Sequence, residues 1–63
     1  YIVGIDIGKN HHEASIVSPK GRQIGHTLRF ATTHKGADSL ISFIFKNIGD
    51  SPCVFGMEAT GHY

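Results

Sequence analysis

With 63 residues, 40 % of them hydrophobic and 17 % charged, the chain is one small globular domain or a piece of a larger one, and not a disordered segment. A formal charge of +1 is too small to announce nucleic-acid binding by itself. No apolar run approaches the ~18 residues that cross a bilayer, no signal-peptide pattern precedes the first strand, and the lone Cys53 excludes an internal disulfide and fits a reducing cytosol.

Residues 1–8 predict a strand buried on both faces, with Val3, Ile5 and Ile7 on one side and Ile2, Gly4 and Asp6 on the other. Lys9 to His12 predict a polar turn. Residues 13–17 predict a second strand with Ala14 and Ile16 on one face. Ser18-Pro19-Lys20-Gly21 has the composition of a type I turn, with Pro at its second position and Gly at its fourth. A third strand follows, with Ile24, Leu28 and Phe30 on one face, joined by His26 at the strand's edge as a half-buried histidine, and with Gln23, Thr27 and Arg29 on the other. Thr32 or Thr33 then offers an N-cap. Ala37, Leu40, Ile41, Ile44, Phe45 and Ile48 recur at spacings of three and four, a helical stripe that must pack on the sheet, while Phe43 falls off that stripe. Lys46 and Gly49 suit the helix C-terminus. After the loop Asp50-Ser51-Pro52, residues 53–58 predict a fourth strand.

The order is therefore β-β-β-α-β, a meander followed by a crossover helix, which favours a last strand parallel to an earlier one. If the first and fourth strands are neighbours, Asp6 and Glu58 are too, on strands ~4.8 Å apart. At ~5 Å and an effective dielectric of 20, two carboxylates repel by roughly 3 kcal/mol. A shared proton would relieve this. So would a hard cation, Mg²⁺ or Mn²⁺, which in two-metal sites activates water and stabilises the leaving oxygen of a phosphodiester. The plainer alternative is that Asp6 accepts backbone hydrogen bonds and Glu58 caps the turn after its strand.

Other candidates carry less. His11, His12 and Lys9 read as decorating a solvated turn. Together with Cys53 and His62 the histidines lack zinc-ligand spacing. Lys9, Lys20, Arg22, Arg29 and Lys35 read as solvated charges, though any could touch phosphate. Gly4, Gly8 and Lys9 do not make a phosphate loop, which needs four residues between its glycines and Ser or Thr after the lysine; here there are three, and Asn10. Thr60 could cap a following helix. The start in strand at Tyr1 and the end on Thr60-Gly61-His62-Tyr63 lead us to expect a fragment.

At Val3-Gly4-Ile5-Asp6-Ile7-Gly8-Lys9 and at Gly56-Met57-Glu58-Ala59-Thr60-Gly61-His62-Tyr63 the chain resembles the N-terminal domain of the DEDD-type transposases of bacterial insertion sequences, relatives of the Piv DNA invertases. The similarity runs through essentially the whole chain, and the second motif is the more specific. It implies a mixed α/β, RNase H-like fold close to the Holliday-junction resolvase RuvC, with strand order 3-2-1-4. It also implies that residues 1–63 are the N-terminal part of the catalytic domain, without the rest of that domain or the C-terminal domain. By the same resemblance Asp6 and Glu58 are the first two members of a catalytic, metal-binding tetrad holding Mg²⁺ or Mn²⁺, and the other two aspartates have no counterpart; Asp38 and Asp50 match neither position. The implied parent is a cytoplasmic transposase or site-specific recombinase that cleaves and rejoins DNA. It would act as an oligomer, in some members with a guide RNA, while the fragment alone would be inactive. The competing reading is an RNase H-like ATPase lobe of the sugar-kinase, actin or chaperone type, which opens on a similar Gly-Ile-Asp-Ile-Gly strand. There a Thr or Ser normally follows the glycine, where this chain has Lys9-Asn10-His11.

Overall fold

A computed structural model describes residues 1–59. It contains β1 (Ile2–Ile7), β2 (His11–Val17), β3 (Gln23–Ala31), α1 (His34–Ile48) and β4 (Val54–Ala59). The strands form one sheet in the order β3-β2-β1-β4, with β1 antiparallel to β2 and parallel to β4. This is the architecture expected of the β-β-β-α-β portion of an RNase H-like fold. The crossover through α1 is what permits the parallel pairing, since parallel neighbours cannot be joined by a tight turn. The turn between β2 and β3 closes as its composition requires, the Gly21 N–H donating to the Ser18 carbonyl at 2.9 Å.

The core lies between the sheet and the helix. Val3, Ile5, Ala14, Ile16, Phe43 and Ile48 are buried, and Ile7, Ile24, Leu28, Phe30, Leu40, Ile44 and Cys53 pack around them. Alternation along β1 sends Val3 and Ile5 inward, and Ile2 and Asp6 to the opposite, exposed face. The expectation that β1 is buried on both faces is therefore corrected: α1 covers one face, and no described residue covers the other.

Three local expectations are also corrected. The pairs Ile7↔His12 and His11↔Ala31 continue the sheet, so His11 and His12 belong to β2 and the turn shrinks to the residues before them. In β3, Ala14 pairs with Leu28 and Ile16 with Ile24, so Gly25, His26 and Thr27 together face the single residue Ser15. This bulge needs the positive φ of Gly25, 69°; His26 within it is exposed rather than half-buried, with its ring edge-on to Phe43 at 5.8 Å.

The third correction concerns the helix. Thr33 is its N-cap, the hydroxyl oxygen accepting from the Gly36 N–H at 2.9 Å, and the Gly49 N–H closes the C-terminus on the Phe45 carbonyl at 2.8 Å. The face turned to the sheet holds half of the stripe expected: Ile48 is buried and Leu40 and Ile44 pack on the core, but the face is rotated away from the other half. Gly36 and Phe43 are buried, whereas Ala37, Ile41 and Phe45 are exposed. The contact line Gly36-Leu40-Phe43-Asn47 also has helical spacing, but it includes two residues that hydrophobicity does not score. Gly36 lies so close to β3 that a Cβ there would come within 1.9 Å of the Ala31 carbonyl oxygen. Asn47 lies above the bulge, where a Cβ on Gly25 would meet its Oδ1 at 2.9 Å, and its Nδ2 donates to the Phe43 carbonyl at 2.7 Å. Because α1 packs chiefly on β3, the helix-side residues of β4, Phe55 and Met57, stay 50 % and 67 % exposed.

Candidate metal and nucleic-acid site on the open face

The parallel register of β1 and β4 sets Asp6 directly beside Glu58. In-register neighbours share a face, so both carboxylates project from the open side of the sheet. The register continues across the other strands, Asp6 opposite Glu13 and Glu13 opposite Arg29. One line across the sheet thus reads Arg29, Glu13, Asp6, Glu58, and all four side chains are exposed. The next level carries almost no side chains: Gly4 lies between Ser15 and Gly56. The result is a shallow, open concavity of about 500 Å³, with Asp6, Glu13 and Glu58 along one side, Gly4 and Gly56 at its floor, and Ser15 and Thr27 at its flank.

Exposure changes the energetics expected from the sequence. Two carboxylates ~5 Å apart in contact with water repel by only about 1 kcal/mol, a load that a small domain carries without a counter-ion. Burial therefore supplies no case for a cation here; geometry and donor chemistry do. Two carboxylates presented side by side on rigid neighbouring strands are hard oxygen donors of the kind Mg²⁺ and Mn²⁺ take. In chemistry they fit such an ion, and in number they are a partial ligand set. Among the described residues no group of three or more His, Cys, Asp or Glu side chains gathers closely enough to hold a metal ion.

Glu13 and Arg29 joined this row unannounced by the sequence. Glu13 looked like the polar start of a strand and Arg29 like a solvated charge; only the register puts them in line with Asp6. A strand-by-strand alternation count gives their face, but not their level. The remaining candidates do not converge. Lys9, Lys20, Arg22 and Lys35 are exposed and absent from the concavity's lining, Asp38 lies in α1 past its first turn, and Asp50 is in the loop after α1. His12 is half-buried on the helix side, whereas His11 is exposed, and Cys53 is a free thiol packed against the core. The helix cap suggested at Thr60, the turn at residues 60–63 and the histidine His62 lie outside the described residues.

Fold and open face together define the class: an RNase H-like α/β domain with acidic residues on its two central strands. Within that class, the family model described as Transposase, that of the IS110-type DEDD transposases, matches residues 3–63. The chain belongs to this transposase family. No curated protein and no solved structure matches it. Membership implies DNA as the partner of the protein. Among the described residues no helix is long and apolar enough to cross a membrane.

Proposed function

We propose that the chain is the N-terminal part of a RuvC-like catalytic domain, in a bacterial transposase or site-specific recombinase that cleaves and rejoins DNA with divalent metal. Asp6 and Glu58 would be the catalytic metal ligands this part contributes. The observation that carries the proposal is their direct register on adjacent parallel strands, on the face of the sheet left open. Mg²⁺ or Mn²⁺ held there would supply the electrostatic activation of water and the stabilisation of a leaving phosphodiester oxygen. The protein's own contribution is to hold two carboxylates on paired strands and to leave the floor at Gly4 and Gly56 clear of side chains, so that a nucleic-acid backbone can approach. Half of the tetrad lies elsewhere, so these residues alone would be inactive. Oligomeric action, a guide RNA and a cytoplasmic setting are carried by the family resemblance alone. Nothing in the described residues favours the ATPase lobe.

Thermal melting with and without Mn²⁺ tests the assignment on the wild type, Asp6→Asn and Glu58→Gln. Both side chains are exposed, so either change should leave the metal-free stability unchanged or raise it by up to about 1 kcal/mol. Mn²⁺ at ten times its dissociation constant should add about 1.4 kcal/mol to the wild type, several degrees in a domain of this size, and should not shift either variant. If both substitutions destabilise the metal-free protein by several kcal/mol, the acids are structural and the metal assignment fails.

A further inference from the structure

The half-buried His12 holds the end of the strand that carries Asp6. The last pair in the β1–β2 ladder is Ile7↔His12, so the Gly8 N–H falls just beyond it. That N–H donates to His12 Nδ1 at 3.3 Å. A ring nitrogen that accepts a hydrogen bond carries no hydrogen, so the neutral imidazole bears its proton on Nε2. Nε2 lies against Thr32 Oγ1 and donates to it. The Phe30 ring, 5.4 Å away and tilted by 56°, packs on the imidazole. One side chain therefore extends the tie between two backbone segments one residue beyond the ladder pairs Ile7↔His12 and His11↔Ala31. The first is Gly8, two residues past Asp6; the second is Thr32, next to the helix N-cap.

Gly8 is where such a tie is needed. A Cβ there would come within 2.4 Å of the His11 carbonyl oxygen, so the turn closes too tightly for any other residue. Glycine is also the residue with the most backbone freedom to lose. Ile7 is the last residue of β1 paired with both β2 and β4, and the Gly8 amide is the next group along, so its bond to His12 carries the hold on β1 one residue past the ladders.

We propose that His12 is a positioning residue for the acid row: it fixes the end of β1 through the Gly8 amide and so holds Asp6 level with Glu58. It touches neither carboxylate. The proposal rests on the reading of Asp6 and Glu58 as metal ligands, because it is metal binding that demands ligands held to within about 0.5 Å.

The test compares the full-length protein with His12→Asn, His12→Leu, Thr32→Val and Asp6→Asn, reading hydrogen exchange at the Gly8 amide and Mn²⁺ affinity. Asparagine places an oxygen near the position of Nδ1, so His12→Asn should keep Gly8 protected and bind Mn²⁺ within about threefold of the wild type. His12→Leu keeps the bulk but loses the acceptor; Gly8 exchange should accelerate and Mn²⁺ affinity fall about tenfold, the scale of lost outer-shell support. Should His12→Leu fail to fold, Thr32→Val removes the ring's second anchor from an exposed position and should weaken Mn²⁺ binding in the same direction by a smaller factor. Unchanged Gly8 exchange in His12→Leu, unchanged Mn²⁺ affinity in both His12→Leu and Thr32→Val, or an equal loss in His12→Asn and His12→Leu would each overturn the role of His12. Undiminished Mn²⁺ binding by Asp6→Asn would instead overturn the metal reading beneath it, whatever Gly8 exchange shows.

Discussion

Phe43 and Phe45 stand two residues apart on α1 and separate the two possible orientations of that helix. A hydrophobic stripe drawn from the sequence includes Phe45 and leaves Phe43 out; in the structure Phe43 is 7 % exposed and Phe45 64 %. Truncating a buried phenylalanine to alanine removes its transfer energy and leaves a cavity, about 3–5 kcal/mol together. A domain of this length has a total stability of roughly 3–9 kcal/mol, at ~0.05–0.15 kcal/mol per residue. Phe43→Ala should therefore remove between about a third and all of that stability. Phe45 has about a third of its surface covered, so Phe45→Ala forfeits about a third of the 1.5–3 kcal/mol of full burial, or about 0.5–1 kcal/mol. Phe43→Leu, which gives up part of the ring but keeps an apolar filling, should cost about 1–2 kcal/mol and keep the protein measurable. Urea denaturation followed by far-ultraviolet circular dichroism reads all three. Phe45→Ala costing more than Phe43→Leu would mean that α1 sits the other way round, and the account of its packing would be wrong.

Three further outcomes follow from particular contacts. Thr33→Ala, which removes the cap on the Gly36 N–H, should cost about 1 kcal/mol and lower the melting temperature by about 4–8 °C. Gly36→Ala should destabilise by about 1–3 kcal/mol in the same melt, because the new Cβ meets the Ala31 carbonyl, although helix propensity alone would make the change stabilising by about 1 kcal/mol. Glu13→Gln, beside Asp6 in the row but outside the proposed ligand pair, should weaken Mn²⁺ binding about threefold by titration calorimetry, far less than Asp6→Asn, since it removes a nearby water-screened charge and leaves both proposed ligands in place.

Much of this chain was legible because its information is local. A continuous apolar run marks β1 and alternation marks β2, Pro19 and Gly21 mark the turn, and Thr32 or Thr33 and Gly49 mark the helix ends; each is a preference of a few neighbouring residues. The element order, with the rule that a helix crossover joins parallel strands, favoured a last strand parallel to an earlier one; the full order came from the family resemblance, and the pairing of β1 with β4 set Asp6 beside Glu58. Three things depended on contacts distant in sequence. The facing of α1 was set by the close approach of Gly36 to Ala31 and by Asn47 over the bulge at Gly25, neither of which carries a hydrophobic signal. The exposure of Asp6 was set by the number of layers over the sheet, and an apolar run reads the same whether one face or both are covered. The acid row acquired Glu13 and Arg29 through the register of three strands, a quantity that exists only once the strands have paired. Sequence thus determined which segments are strands and helix, and which two acids stand near the ends of the two apolar strands. Tertiary structure decided which faces are covered and which charges share a level, because packing compares residues that the chain itself keeps far apart.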